Sequence, residues 1–248
     1  MIQSVKKAME IVDRVADKGR ISVKELSDSM GIPKSTVCRL AQTLEASGYL
    51  YQDEASGDYF LAYKFFLAGR EVLEKSGIRD CVWPVMQQLA DFSKETVNLT
   101  VLDGNKVLYV QKIESSHITN GIQVGTRAPL HVTASGKAIL ASLAPDRLTQ
   151  VMNDLLPLEV FTKRTIRTVE ALRRELEVCR KRGFAISKDE IATGAYSIAA
   201  HIEGYPGRET AALSIAWPSN RTTPERFTEW GQLLHKACEE VSKKFKAY

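Results

Sequence analysis

The sequence predicts an α+β chain of two modules joined by a helix. Three observations predict it. The first 50 residues hold three short helical patterns, each closed by a glycine. Two β-rich runs flank DEASG immediately afterwards. Beyond residue 78, β-rich segments and amphipathic helices follow one another without strict alternation, as in a mainly antiparallel sheet with flanking helices. The expected boundaries are 1–61 for the first module, 62–77 for the connecting helix and 78–248 for the second module.

Residues 2–18 predict a first helix, with Val5, Ala8, Met9, Val12, Val15 and Ala16 on one face and Gly19 as its stop. Ser22 is a helix N-cap, and Glu25 three residues on completes a capping box for VKELSDSM. Gly31 closes that helix, and Pro33 suits the first turn of the next. In KSTVCRLAQTLEASG, Val37, Leu40, Ala41 and Leu44 share a buried face and Gly48 ends the helix. Tyr49–Tyr51 and Tyr59–Leu61 read as two strands of a hairpin. Two helices around a tight turn followed by a hairpin make a winged helix-turn-helix. Residues 62–76 form the connecting helix, with Phe65, Phe66, Leu67, Val72 and Leu73 as apolar anchors.

In the second module, 79–94 is a helix, and NLTVLDGNKVLYVQKI is a hairpin around Asp103, Gly104 and Asn105. GIQV reads as a third strand. A helix begins in HVTASGKAILASL, another opens at Pro145, and VEALRRELEVCRKRG is a clear amphipathic helix. GFAIS, GAYSIAAHIE and ETAALSIAW are strands, and TPERFTEWGQLLHKACEEVSKKF closes the chain as a helix.

Composition bounds the function. The 248 residues carry a net charge of +4, a weak pointer to a polyanionic partner. Residues 1–44 hold eight Lys and Arg against five Asp and Glu, but 45–60 add four acids and no base. Local placement, not bulk charge, has to carry any DNA argument. No apolar run approaches a membrane span, and the start is not a signal peptide, so a cytoplasmic protein without a membrane partner is expected. Four scattered cysteines and four histidines show no metal-ligand spacing, and no cofactor or metal is expected.

The outer face of the third helix carries Lys34, Ser35, Thr36, Arg39 and Gln42. Its first-turn N–H groups, with Ser35 and Thr36, suit a phosphate. Arg39 can donate twice to guanine, and Gln42 can read adenine. With Ser22 these form the candidate DNA-contacting set. A solvated helix face would also be polar; the preceding helix, the turn and the wing in order favour DNA.

VKELSDSMGIPKSTVCRLAQTLEASGYL resembles the helix-turn-helix of IclR-type bacterial transcription regulators. GTRAPLHVTASGKAILA and RGFAISKDEIATGAYSIAAHI resemble two stretches of the same family's effector domain. The resemblance covers nearly the whole chain in the right order. It implies a regulator, taken here as a repressor, that binds an inverted-repeat operator in double-stranded DNA as a homodimer or homotetramer. It also implies a GAF-like sensing domain that takes a small organic acid as effector.

The resemblance places the ligand carboxylate at the turn TASGKAIL, where Thr133 or Ser135 stands near a helix start and small Ala134 and Gly136 permit close backbone approach. A capped helix start with no ligand would look the same. Further family-matched positions are Ser187, Asp189, Ser197, Ser214 and Ala216, with His117, Asn120 and His131 as additional polar candidates. Ser197 stands where relatives often carry cysteine, and Ser187 where they often carry an acid. Ser214 keeps one of two usual hydroxyls; Ala216 replaces the other. A hydroxyl-lined pocket suits a more hydroxylated or more anionic ligand than a small keto acid.

The rival class is an enzyme acting on a small organic acid, with an accessory helical domain. Gly136-Lys137 is no P-loop, because His131 stands where its first glycine is needed. G-x-S-x-G and H-E-x-x-H are absent, and spacing gives no support to a Ser135, His131, Asp189 triad, so no catalytic residue is assigned. A purely structural DNA protein would not need so large a second module.

Overall fold

The computed structural model describes residues 2–74, 81–115, 122–204, 210–221 and 223–246. The chain divides into two compact units, Met1–Lys75 and Ser76–Tyr248.

The first unit opens with α1 (Gln3–Lys18), α2 (Val23–Met30) and α3 (Lys34–Ala46), followed by β1 (Leu50–Gln52), β2 (Tyr59–Leu61) and α4 (Lys64–Glu74). Its core joins Ile11, Val15, Ile21, Leu26, Val37, Ala41, Leu50 and Tyr59, with Leu40 and Leu44 partly buried against them. The α3 face is therefore the expected one. That of α1 is rotated: Ile11 is buried beside Val12 and Val15, whereas Val5, Met9 and Ala16 are exposed. Val12 and Val15 of the expected stripe are buried and Ala8 half-buried; the short unit covers only part of α1, which leaves Val5 and Met9 exposed and adds Ile11. Pro33 does not sit in the first turn; it is the cap residue, with extended ψ, and α3 starts at Lys34. Ile21 pairs with Tyr59 through two backbone bonds of 2.9 and 3.1 Å, adding a bridge to the wing. Helix α4 is held on this unit: Lys64 Nζ donates to the Ser47 carbonyl at 2.9 Å and lies 4.4 Å from the Tyr49 ring centroid.

The second unit contains α5 (Trp83–Ser93), β3 (Thr96–Asp103), β4 (Lys106–Ile113), β5 (Arg127–Pro129), α6 (Ala134–Ser142), α7 (Pro145–Asp154), α8 (Val169–Arg182), β6 (Ala185–Lys188), β7 (Ala195–Ile202), β8 (Ala211–Pro218) and α9 (Pro224–Lys246). The six strands run antiparallel in the order β5-β4-β3-β8-β7-β6. GIQV is not the third strand. Residues 122–124 lead into a turn, in which Thr126 N–H donates to Gln123 O and Gly125 takes φ +90°, and pairing starts at Arg127.

One sheet face carries α6, α7 and α8 over Tyr109, Ala185, Ala199 and Ala212. The alanines let α6 lie close. Gly136 serves the same end, since a Cβ there would run into the Leu130 backbone. On the other face, Trp217 packs at 5.3 Å between ring centroids against both Phe227 and Trp230 of α9.

Candidate functional site

Two places gather the predicted residues. The first is α3. Ser35, Arg39 and Gln42 fall at i, i+4 and i+7 and are exposed together; Lys34 is exposed at the helix start, and Thr36 is half-buried at the stripe's edge. No side chain caps α3. The N–H groups of Thr36 and Val37 donate to Pro33 O at 2.9 and 3.2 Å. Those of Lys34 and Ser35 have no intrahelical acceptor. Ser27 Oγ donates to Ile32 O at 2.7 Å and ties α2 to the turn before α3. Ser22 is placed differently: its hydroxyl accepts from Glu25 N–H at 3.2 Å and donates to Glu25 Oε2 at 2.9 Å. That capping box, with Lys18 nearby, holds the Glu25 carboxyl down at about 2. The wing tip is acidic, and Asp53 accepts from Ser56 through both N–H and hydroxyl.

The second place is a cavity of about 100 Å³ at the start of α6. Thr133 caps α6, its Oγ1 accepting from Gly136 N–H at 3.0 Å, and Lys137 N–H donates to Thr133 O. The N–H groups of Ala134 and Ser135 have no acceptor within the helix. Facing them, strand register sets a polar floor. Ser187, Ser197, Ala216 and Thr96 form one row across four strands, and Ala199, Ser214 and Asn98 the next. Ile122, Val132, Ile191 and Tyr109 wall the space. Burial pushes the Tyr109 phenol up to about 12, so it remains a neutral donor. Among the described residues, the side chains of Asn98, Ser135, Ser197 and Ser214 make no hydrogen bond with the protein.

Not every expected residue reaches this cavity with a free group. Ser187 lines it, but its hydroxyl donates to Val132 O at 2.9 Å. Asp189 does not line it: at φ +57° it shapes the β6–β7 turn, its Oδ1 accepting from Gly194 N–H at 2.6 Å. Gly136 does not line it, and a Cβ there would meet the Leu130 backbone. His131 lies outside the cavity, with Nε2 2.9 Å from Glu159 O; burial holds its imidazole below the usual histidine range. His117 and Asn120 fall outside the described residues. Lys137 is buried and paired with Glu190 at 2.6 Å and Glu175 at 3.5 Å, so its charge is spent inside the protein. Burial raises the Glu190 carboxyl even though Lys137 pulls the other way. Asn98, Thr96 and Tyr109 were missed. The alternation Thr96, Asn98, Thr100 on a strand otherwise made of Val and Leu was the available signal.

The described residues contain no cluster of three or more metal-ligating side chains and no helix long and apolar enough to cross a membrane.

Comparison with known proteins decides between regulator and enzyme. Residues 70–243 match the profile "Bacterial transcriptional regulator IclR C-terminal", and residues 4–54 match "IclR helix-turn-helix domain". The chain belongs to the IclR family. It is therefore a DNA-binding transcriptional regulator, in a family of regulators and not of enzymes. It is 31% identical to the Escherichia coli K12 transcriptional repressor AllR, over 90% of this chain and 83% of that one. The crystal structure of Thermotoga maritima IclR has a TM-score of 0.75 and 30% identity, covering 99% of both chains. An IclR homologue from Microbacterium hydrocarbonoxydans, solved with 4-hydroxybenzoate, has a TM-score of 0.82 at 24% identity, covering 99% of this chain and 100% of the other; at that identity the likeness is one of fold.

Proposed function

We propose that this IclR-family regulator is a repressor whose α3 reads an inverted-repeat operator and whose α6 cavity binds a small organic acid as effector. The observation that carries the DNA half is the uncapped start of α3 beside exposed Lys34, Ser35, Arg39 and Gln42. A phosphate oxygen supplies the missing cap, and the side chains behind it meet base edges. The effector half rests on the open N–H pair of Ala134 and Ser135 above unpartnered Ser135, Ser197, Ser214 and Asn98. Repression follows the AllR relative, and an acid ligand follows the 4-hydroxybenzoate complex of the Microbacterium homologue.

A single recognition helix covers too few base pairs for specificity in a genome. Paired copies solve this, and the first unit offers exposed apolar Ile2 just before α1, Val5 and Met9 on α1, and Phe66, Leu67 and Val72 on α4. Helix α4 is our candidate for carrying effector state to the spacing of the two recognition helices. The protein works in the cytoplasm, where its DNA is. Selection of bound sites from a random duplex pool tests the reading. It should return an inverted repeat; recovery of single unpaired half-sites would contradict it.

A further inference from the structure

A separate cavity, of about 260 Å³, opens toward the other end of α6 and shares no lining residue with the first. Strand lengths create it. Pairing of β6 with β7 ends at Ala185 opposite Ala199, so His201 has Ala212 of β8 on one side and no β6 partner on the other. Past that end of β6, α6 contributes Ala138 and Ala141, and α8 contributes its last turn and Gly183. His235 reaches the same space from α9. Gly183 permits that approach, since a Cβ there would come within 2.7 Å of the His235 ring.

Charge is the first observation. Arg180, Lys181 and Arg182 line the cavity, and among the described residues no Asp or Glu does. The C-terminus of α8 offsets only about half an elementary charge. Arg180 Nε donates to Ala141 O at 2.8 Å, and Arg182 Nε donates to Phe184 O at 2.9 Å. Each guanidinium is thus pinned by one nitrogen. Among the described residues, the Nη groups of Arg180 and the Lys181 ammonium have no partner. The acids just outside do not cancel this charge. Glu175 is shared between Lys137 at 3.5 Å and Arg182 at 3.9 Å. Glu239 stands 3.7 Å from His235 in an exposed pair, where such contacts are weak.

His201 is the second observation. Among the described residues its ring makes no hydrogen bond and no ion pair, and burial holds it below the usual histidine range. A neutral imidazole still offers one N–H donor, and an anion is the missing acceptor.

Room is the third. A benzene ring needs about 150 Å³, so 260 Å³ holds an anionic group with a short carbon chain beside it. Ala138, Ala141 and the Phe184 ring give that chain an apolar wall. Three cations exceed what one carboxylate needs. A phosphate monoester carries a charge of about −1.5 to −2 and three strong acceptor oxygens, which guanidinium forks match.

We propose that this cavity is a second small-molecule site and takes a phosphate monoester. The phosphate sits among Arg180, Lys181, Arg182 and His201, and the carbon chain lies against Ala138 and Ala141.

Calorimetric titration of the full chain with n-propyl phosphate, inorganic phosphate and n-propanol tests this. Propyl phosphate should bind about tenfold or more tighter than inorganic phosphate, because its carbons are buried. Arg180→Gln and His201→Gln should each weaken it about tenfold or more, as loss of a charged hydrogen bond does. Arg180 is exposed, so its variant tests the site even where His201→Gln loosens the fold. Lys106→Gln on β4 and Ser214→Ala in the α6 cavity should leave the ester affinity within about twofold. Equal losses in Arg180→Gln and Lys106→Gln would mean diffuse attraction to a basic surface and would overturn the site. Loss in Ser214→Ala with none in Arg180→Gln would put the anion in the α6 cavity and overturn it too. Propanol binding as tightly as the ester, an ester no tighter than phosphate, or no heat with either anion would equally overturn the proposal.

Discussion

Helices α3 and α6 use the same chemical device in opposite settings. Each starts with free N–H groups beside a serine. At α3 the start is uncapped and solvent-exposed, with Lys34 and Arg39 around it. At α6 it is capped by Thr133, buried, and set among neutral polar groups of the described residues, with nearby Lys137 tied to glutamates. An exposed start flanked by flexible cations suits a large polyanion, whose affinity comes from charge and counterion release. A buried neutral start suits a small ligand bearing one charge, held by shape and unmet hydrogen bonds. The lesson is that a helix N-terminus defines only the sign of its partner; the surroundings define its size.

The contrast can be broken most forcefully at Gly136. If its lack of a side chain serves the contact of α6 with the Leu130 backbone, Gly136→Ala should destabilise the second unit by about 2–3 kcal/mol. Urea unfolding followed by tryptophan fluorescence reads this, because all three tryptophans (Trp83, Trp217 and Trp230) lie in that unit. A change below about 0.5 kcal/mol would show that α6 can shift freely and that the cradle is not fixed.

Arg39→Ala sharpens the α3 side. It should cost roughly 1–3 kcal/mol of operator binding and relax preference at one base pair, with acid binding unaltered. Fluorescence anisotropy against matched and mismatched duplexes gives both numbers; undiminished discrimination would place a different face of α3 in the groove.

Thr133→Ala probes the cap that α3 lacks. Removing it should cost about 1 kcal/mol of stability. A pH series adds a signed expectation. Burial depresses the folded-state values of His131 and His201, so the unfolded chain binds their protons first. Stability should therefore be full above the unfolded histidine value and fall as pH drops below about 6.5, with no matching loss toward pH 8. Denaturation midpoints flat from pH 7 to 5.5 would contradict that placement.

The smallest effect belongs to Lys34→Ala. It should weaken binding to all sequences alike and reduce the salt slope by about 1, as loss of one phosphate contact does. A sequence-selective loss would make Lys34 a base reader.

The sequence revealed the helices and most strands because their periodicity and stops are strong: Ser22 with Glu25 as a capping box, Gly31 in the left-handed region, and Gly183 likewise after α8. It misplaced what depends on the tertiary surroundings. The buried stripe of α1 depends on how much partner surface lies beside it, which left Met9 exposed and buried Ile11. GIQV has strand-like residues, but bonding to β4 begins at Gly125, whose N–H donates to Tyr109 O, and the paired strand at Arg127. Among the residues that line the cavity, Ser135 stands in the TASGKAIL turn, and Ser197 and Ser214 at positions singled out by the family resemblance. Asn98 reaches the cavity through its register with Ser214 across 116 residues of chain, of which the sequence shows only the alternation Thr96, Asn98, Thr100. Asp189 shapes the β6–β7 turn at φ +57°, a placement that its position in the sequence did not show.

We propose that an acid bound in the α6 cavity controls operator binding by α3. Ligand can alter DNA affinity only through unequal binding to the two DNA-affinity states. The direct measurement is operator anisotropy titrated with the tightest-binding small organic acid, for the wild type and for Ser214→Ala. The acid should shift operator affinity in the wild type, and the variant should need about ten times more acid for the same shift. Equal half-effect concentrations in the two proteins, or no shift in the wild type at saturating acid, would contradict it.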